Sequence, residues 1–277
     1  MEFRGLMGGF YRISEWIMRF SVTNILWIVG ALPVFFFGFS LLMSTDEAQV
    51  RFTLLLVSVL SPFLLFPSTT AMFALARKWV TGDGDVPLLK TFFTGYKENY
   101  KQSMLGGLFF VVVIGIMYFN LHFYSGQAGF LSVLTYLFIA LFLIVIVAVF
   151  NFFCITVHLH MNTWQVIKNS FLLTIGQPIR SILIAATNAA IVYISFTYIT
   201  FLIPFFMGSL VAFMTFWHFH NGFRKIVERQ EKAKEAREQA ENGDEEAEES
   251  ETMEAPEAPE AEAAERSEQA DRSGREK

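Results

Sequence analysis

The stretch that decides the fold is residues 63–79, which read FLLFPSTTAMFALARKW. It is the second half of a long apolar run, and it ends in two cations and a tryptophan, as membrane helices do where they leave the bilayer on the cytoplasmic side. Pro67 removes one helical hydrogen bond within the run. The hydroxyls of Ser68, Thr69 and Thr70 follow and can bond the backbone groups that the proline frees. We therefore predict a membrane span that is broken at Pro67.

Composition also places the chain among membrane proteins. It contains 32 phenylalanines in 277 residues, and its mean hydropathy is +0.43, which is unusual for a soluble domain. Residues 1–221 hold 11 Lys and Arg against 7 Asp and Glu, whereas residues 222–277 hold 10 against 19. A weakly basic membrane domain is thus followed by an acidic tail. The single cysteine, Cys154, excludes an intramolecular disulfide.

Hydropathy predicts six spans, because about 20 apolar residues at about 1.5 Å each cross the hydrocarbon core. The fold class is therefore all-α, a polytopic bundle of transmembrane helices over residues 1–223. Pro204 is interpreted as a tight turn between the last two spans. The predicted spans are residues 22–42, 52–76, 104–123, 130–157, 182–203 and 205–219.

Segments with the pattern of amphipathic helices precede or join the spans on the inner side. Residues 1–20 carry three arginines among apolar residues. Asp85 and Pro87 are expected to start a second such helix. Over residues 87–100, leucine and aromatic residues recur every four positions, with lysines on the remaining surface. Asn162 and Thr163 are expected to cap a third helix that Gly176–Pro178 ends. These amphipathic loop helices are predicted to lie in the inner headgroup region.

Small and amide side chains within the spans predict close helix packing. Gly106 and Gly107 open the third span and allow a neighbouring helix to approach. Uncharged amides in membrane helices more often bridge helices than bind substrate. The four amides of this kind are Asn24, Asn120, Asn151 and Asn188.

The end of the chain has the composition of a soluble segment. Residues 224–241 are rich in Ala, Glu, Lys and Arg, which predicts that the last helix extends into the cytosol. Asn242–Asp244 is expected to end it. Residues 242–277 contain no aromatic residue and are predicted to be a disordered acidic tail.

Patterns of enzymes and metal sites are missing from the sequence. No nucleophile with a base, phosphate loop or paired carboxylates is recognisable, so we predict neither enzyme activity nor a cofactor. Two pairs, His158/His160 and His218/His220, form with Cys154 a conceivable soft-metal site. The members of one pair project about 200° apart on a helix and cannot chelate one ion. We therefore interpret them as side chains that fill headgroup space and predict no metal.

Three stretches carry a family resemblance. Residues 5–16 (GLMGGFYRISEW), residues 66–79 (FPSTTAMFALARKW) and the loop of residues 87–100 resemble the YesL-like family, uncharacterised integral membrane proteins of Gram-positive bacteria. The resemblance covers about residues 1–225. It implies a protein of the cell membrane whose relatives are often encoded beside carbohydrate importers of the ABC type. It implies no catalytic residues, because none is assigned in the family.

Two function classes stay open. The first is a non-enzymatic accessory or regulatory protein of carbohydrate uptake, which docks subunits of an ABC-type importer through Lys90, Lys97 and Lys101. The second is a transporter of small solutes with its binding site at the broken second span, around Pro67, Ser68, Thr69 and Thr70. No ionisable residue lies in the middle of a predicted span, which disfavours a coupled transporter. The bilayer is the expected surrounding, and no nucleic acid is expected.

The positions of the cations predict the topology. With six spans, the inner segments up to Arg229 hold thirteen Lys and Arg, and the outer segments hold Arg51 alone. Such an asymmetry places both termini in the cytoplasm.

A reporter fused after Lys277 is therefore expected to show cytoplasmic activity, such as fluorescence of a protein that folds only in the cytosol. Activity of a reporter that requires export would contradict the prediction and would indicate an odd number of spans.

Overall fold

The structure, a computed structural model, describes residues 3–126 and 129–254. All regular elements in these ranges are helical, so the predicted all-α fold is confirmed. One compact unit ends at Phe223, and a second begins at Arg224. The elements are α1 (Phe3–Gly30), α2 (Leu32–Met43), α3 (Glu47–Leu60), α4 (Leu65–Val80), α5 (Leu88–Ser125), a 3₁₀ turn (Gly129–Ser132), α6 (Val133–His158), α7 (Thr163–Gly176), α8 (Pro178–Thr197), a π-turn (Ile203–Met207) and α9 (Gly208–Glu254).

Several helices are suited to cross a membrane by length and composition. Among the described residues, α5, α6 and α8 each qualify alone. The pairs α1 with α2 and α3 with α4 qualify only together, bent by 84° and 53°. The number of such spans is therefore three, or up to five if each bent pair counts as one. The predicted sixth span, residues 205–219, lies at the π-turn and the start of α9 and stays a prediction.

The two bends differ from the sequence prediction. Residues 22–42 were expected as one span, but the chain bends at Ala31, and Pro33 lies at the start of α2. In the second span the break is at residues 61–64, which contain Pro62, and Pro67 lies in the first turn of α4. A proline in a first turn is tolerated because the N–H that it lacks would have no helical partner. The helix is thus broken within the predicted second span, but the break lies before Pro67 and not at Pro67 as predicted.

Helix α5 joins two predicted segments. The loop helix of residues 87–100 and the span of residues 104–123 form one helix of 38 residues, about 57 Å long at about 1.5 Å per residue. The helix is not broken at the two glycines in this region, and side chains of neighbouring helices occupy the space beside them. A Cβ at Gly106 would lie 2.1 Å from Cζ of Phe152 in α6, and one at Gly107 would lie 2.8 Å from Cγ of Phe66 in α4. The predicted close approach at these glycines is confirmed.

The last two helices also depart from the prediction. Helix α8 ends at Thr197, so the fifth span is shorter than residues 182–203, and the turn precedes Pro204, which lies in the π-turn. Helix α9 continues through Asn242–Asp244 to Glu254, because one glycine costs only about 1 kcal/mol among strong helix formers. The remaining residues of the predicted tail, 255–277, lie outside the described residues.

Amides connect the helices, as predicted for three of the four. Asn24 is fully buried in α1. Its Nδ2 donates to the carbonyls of Ile203 (3.0 Å) and Pro204 (2.7 Å), and its Oδ1 accepts from the N–H groups of Gly208 (2.8 Å) and Ser209 (3.1 Å). The amide therefore completes the backbone of the π-turn and joins α1 to α9.

The other amides make simpler contacts. Asn151 Nδ2 donates to Thr174 Oγ1 at 2.9 Å and joins α6 to α7. Asn188 Nδ2 donates to Thr215 Oγ1 at 2.8 Å and joins α8 to α9. Asn120 donates only to the carbonyl of Ile116 in its own helix, at 2.7 Å.

Replacing Asn24 by Leu is expected to lower the free energy of unfolding by about 2 kcal/mol, since four hydrogen bonds worth about 0.6 kcal/mol each in a membrane protein are lost. The same change at Asn120 removes no contact between helices and is the control. The readout is thermal unfolding in detergent followed by tryptophan fluorescence. Equal losses for Asn24→Leu and Asn120→Leu would contradict the assigned role.

Candidate functional site

Two partly open cavities lie beside Arg77 at the end of α4. The larger measures about 710 Å³ and the smaller about 340 Å³. Both are lined by Arg77, Glu98, Asn99 and Val157, so we treat them as one feature, the Arg77 groove. The larger is also lined by Gln102, Thr156, His160, Asn162 and Gln165, and the smaller by Lys78, Pro87, Lys90, Thr91 and Thr94.

The walls of the groove are held by backbone contacts. Arg77 Nη1 donates to the carbonyl of Val157 near the end of α6. Gln102 Nε2 donates to the carbonyl of Met161 at 2.8 Å and joins α5 to the segment before α7. Gly95 lets α5 approach α4, because a Cβ there would lie 2.9 Å from Cβ of Ala74. Three helices therefore meet at fixed positions around Arg77.

Helix α7 begins at one edge of the groove. Asn162 is its N-cap, as predicted, and the backbone N–H of Asn162 donates to Oε1 of Gln165 at 3.3 Å. Gln177 follows the last residue, Gly176, and α8 starts at Pro178. The predicted limits of this loop helix are therefore confirmed.

The loop between α4 and α5 is anchored by a buried cation. Arg19 is 7% exposed. Its Nη2 donates to Asp85 at 2.8 Å and pairs with Glu15 one turn earlier. Gly84 leaves room for this guanidinium, since a Cβ there would lie 2.9 Å from Arg19 Nη1. Asp85 thus holds the loop to α1 instead of starting α5, which begins at Leu88.

Positive charge dominates the groove. Arg77, Lys78 and Lys90 line it, and Glu98 is the one carboxylate among its lining residues. Within the part of the chain that the structure describes, none of these four side chains is in an ion pair. Three cations and one carboxylate that share a partly enclosed space leave an excess of positive charge, which attracts anions. The arrangement can bind a negatively charged group.

Of the three predicted docking lysines, one lines the groove and two do not. All three are exposed on α5, and at about 100° per residue they fall within about 40° of one another. Lys90 lines the groove, whereas Lys97 and Lys101 do not line either cavity. They lie on the side of α5 opposite Phe92 and Gly95, which are buried.

The residues around Pro67 in α4, which were predicted as a possible binding site, are packed inside the protein. Pro67, Ser68, Thr69 and Thr70 are all buried. Thr69 Oγ1 donates to the carbonyl of Leu65 (2.7 Å) and Thr70 Oγ1 to that of Phe66 (2.9 Å). Neither hydroxyl bonds the carbonyl four residues before Pro67, so that part of the prediction is wrong.

This stretch also contacts α1. Trp27 Nε1 donates to Thr69 Oγ1 at 2.9 Å. Ser68 Oγ is buried without a hydrogen-bond partner among the described residues. It lies at the bend between α1 and α2, where a Cβ at Gly30 would be 2.6 Å from it. The two bent helix pairs therefore meet at Gly30 and Ser68.

The histidines pair across helices rather than along one. The rings of His158 and His220 are 5.9 Å apart, and both lie against Phe216, while His158 also contacts Phe223. No three His, Cys, Asp or Glu residues in the described ranges come together as a metal site would require. His160 instead lines the larger cavity.

The groove itself was not predicted from the sequence. Arg77 and Lys78 were interpreted only as markers of topology. One signal was present, because Thr91, Thr94, Glu98 and Gln102 recur at helical spacing and form a polar flank of α5 beside the lysines.

Comparison with known proteins shows which sequences this chain is similar to. Residues 20–121 match the family described as protein of unknown function, DUF624. The uncharacterized protein YteU of Bacillus subtilis (strain 168) is 29% identical over 213 residues, which cover 77% of this chain and 84% of YteU. The uncharacterized protein YesL of the same organism is 28% identical over 224 residues, covering 81% and 94%.

These matches confirm the resemblance to the YesL-like family. A third relative, the uncharacterized protein YesV of the same strain, is 27% identical over 168 residues and covers 60% of this chain and 80% of YesV. No solved structure matches the chain. The matched residues 20–121 contain α4 and most of α5, and thus one wall of the Arg77 groove.

Thr69→Val is expected to destabilise the protein more than Thr70→Val, because only Thr69 accepts a hydrogen bond from another helix. A double-mutant cycle with Trp27→Phe should give a coupling of about 0.5–1 kcal/mol for Thr69 and none for Thr70. Thermal unfolding in detergent is the measurement. Equal couplings would show that the indole N–H makes no specific contact with Thr69.

Proposed function

We propose that this protein is a non-enzymatic accessory or regulatory component of carbohydrate uptake in the cell membrane, with both termini in the cytoplasm. Its partner is a subunit of an ABC-type importer. The topology is supported by the distribution of cations along the sequence, and the partner class by the family resemblance.

The observation that carries the proposal is the exposed surface of α5. Lys90, Lys97 and Lys101 form an exposed ridge, and none of them is in an ion pair within the described ranges. Leu89 and Phe93 beside the ridge are 59% and 54% exposed. Cations next to exposed apolar side chains suit a protein interface, where charge guides association and apolar contacts hold it.

A transporter is the second candidate, and one observation favours it. The two bent helix pairs meet at Gly30 and the unpartnered hydroxyl of Ser68, and broken helices of this kind form substrate sites in transporters. Against it, Thr69 and Thr70 use their hydroxyls within the helix packing. The accessory function is therefore the better supported of the two.

Replacing Lys90, Lys97 and Lys101 together by Glu is expected to reduce co-purification of the importer subunit at least tenfold, because attraction becomes repulsion. Membranes of the native host, solubilised in mild detergent, and quantitative mass spectrometry provide the readout. Glu at Arg224, Lys225 and Arg229 gives the same change of charge elsewhere and is the matched control.

Equal retention of the partner in both triple variants would contradict docking through α5. Solute flux into liposomes that contain only this protein would overturn the accessory function altogether. If that flux is lost in Ser68→Leu while the protein stays folded, the transporter takes its place.

A further inference from the structure

We propose that the Arg77 groove binds a phosphate ester, with the phosphate held by Arg77, Lys78 and Lys90 and hydroxyl groups of the ligand held by Glu98 and Asn99. The site shares Lys90 with the proposed docking surface, whereas the other two docking lysines, Lys97 and Lys101, do not line the groove.

The guanidinium of Arg77 is placed to bind the phosphate. One of its nitrogens donates to the carbonyl of Val157, which fixes the side chain at the junction of the two cavities. The planar guanidinium has five N–H donors, and those that Val157 does not use match two oxygens of a phosphate. A fixed arginine with donors to spare is typical of phosphate sites.

Lys78 and Lys90 add two further positive charges. Lys78 follows Arg77 in the last turn of α4, and Lys90 is in the first turn of α5. Both line the smaller cavity together with Arg77. A phosphate in this cavity offsets the repulsion between the like charges, because its several oxygens can accept from more than one of them.

Glu98 and the amides define the rest of the ligand. Asn99 Nδ2 donates to the carbonyl of Gly95 (2.9 Å) and Gln102 Nε2 to that of Met161 (2.8 Å). The amide oxygens and the carboxylate of Glu98 are therefore acceptors at the groove. Acceptors beside a phosphate site favour esters that carry hydroxyl groups, because hydroxyls can donate to them. The carboxylate of Glu98 disfavours ligands with a second anionic group.

The dimensions suit a small organic molecule. Cavities of about 710 Å³ and 340 Å³ fall in or near the range of about 300–1,000 Å³ that is common for ligand sites. Lys90 lies in the sequence between the exposed apolar residues Leu89 and Phe93. The ligand can therefore be a soluble phosphate ester or a membrane lipid, because both can present a phosphate beside hydroxyl groups.

The test uses the purified full-length protein without any importer subunit. Binding of glycerol 3-phosphate is measured by calorimetry in nanodiscs of phosphatidylcholine. Stabilisation by phosphatidylglycerol is measured as a shift of Tm between nanodiscs of phosphatidylglycerol and of phosphatidylcholine. Glycerol 3-phosphate binding indicates a soluble ligand, and a Tm shift without it indicates a lipid headgroup.

Lys90→Gln and Lys101→Gln form a matched pair on one helix with the same loss of charge. We expect Lys90→Gln to weaken glycerol 3-phosphate binding at least fivefold, or to abolish the Tm shift, and Lys101→Gln to change either by less than twofold. Arg77→Lys keeps the charge and should weaken binding as well, since the planar set of donors is lost. Equal effects of the two glutamine variants, or no response to either probe, would overturn the proposal. Because both probes are measured on the purified protein without an importer subunit, their failure is distinguishable from a failure of docking.

Discussion

The hydrogen bonds of Asn24 are the constraint on which the first and last parts of the membrane unit depend. In a bilayer, backbone groups must be satisfied within the protein, and the π-turn before α9 departs from the regular helical pattern around Pro204. Asn24 bonds two of its carbonyls and the two N–H groups that follow, so its amide is fully used. Gly208 permits this approach, because a Cβ there would lie 2.5 Å from Trp27. Trp27 in turn bonds Thr69, and α1 is thereby fixed to both α9 and α4.

Close contacts at glycine hold the groove in the same way. Gly95 brings α5 against α4, and Gly106 brings it against α6. With α5 held on both neighbours, its polar flank from Thr91 to Gln102 borders a space that no side chain fills. The cavity is thus a consequence of tight packing on either side of it. Gln102, which bonds the carbonyl of Met161, closes one wall of the larger cavity.

Hydropathy was enough to predict the all-α fold and the bridging role of Asn24, Asn151 and Asn188, because the cost of unsatisfied polar groups in lipid allows few alternatives. The positions of the bends were harder. A proline breaks a helix or begins one according to where the helix starts, and the start of α4 depends on contacts such as that of Phe66 with Gly107. The groove was missed because Arg77, Glu98 and Asn162 are distant in sequence, and each resembles an ordinary surface residue.

Helix α4 connects the two places where function has been considered. Its first half is buried against the bend of α1, with Ser68 beside Gly30, and its last turn carries Arg77 and Lys78. Nine residues separate Ser68 from Arg77, about 14 Å along the axis at about 1.5 Å per residue. The first end is apolar and closed by hydroxyl contacts within the protein, whereas the second is cationic and partly open. The cationic end of α4 therefore lies where a ligand can reach it, and the closed end serves to hold α4 in place.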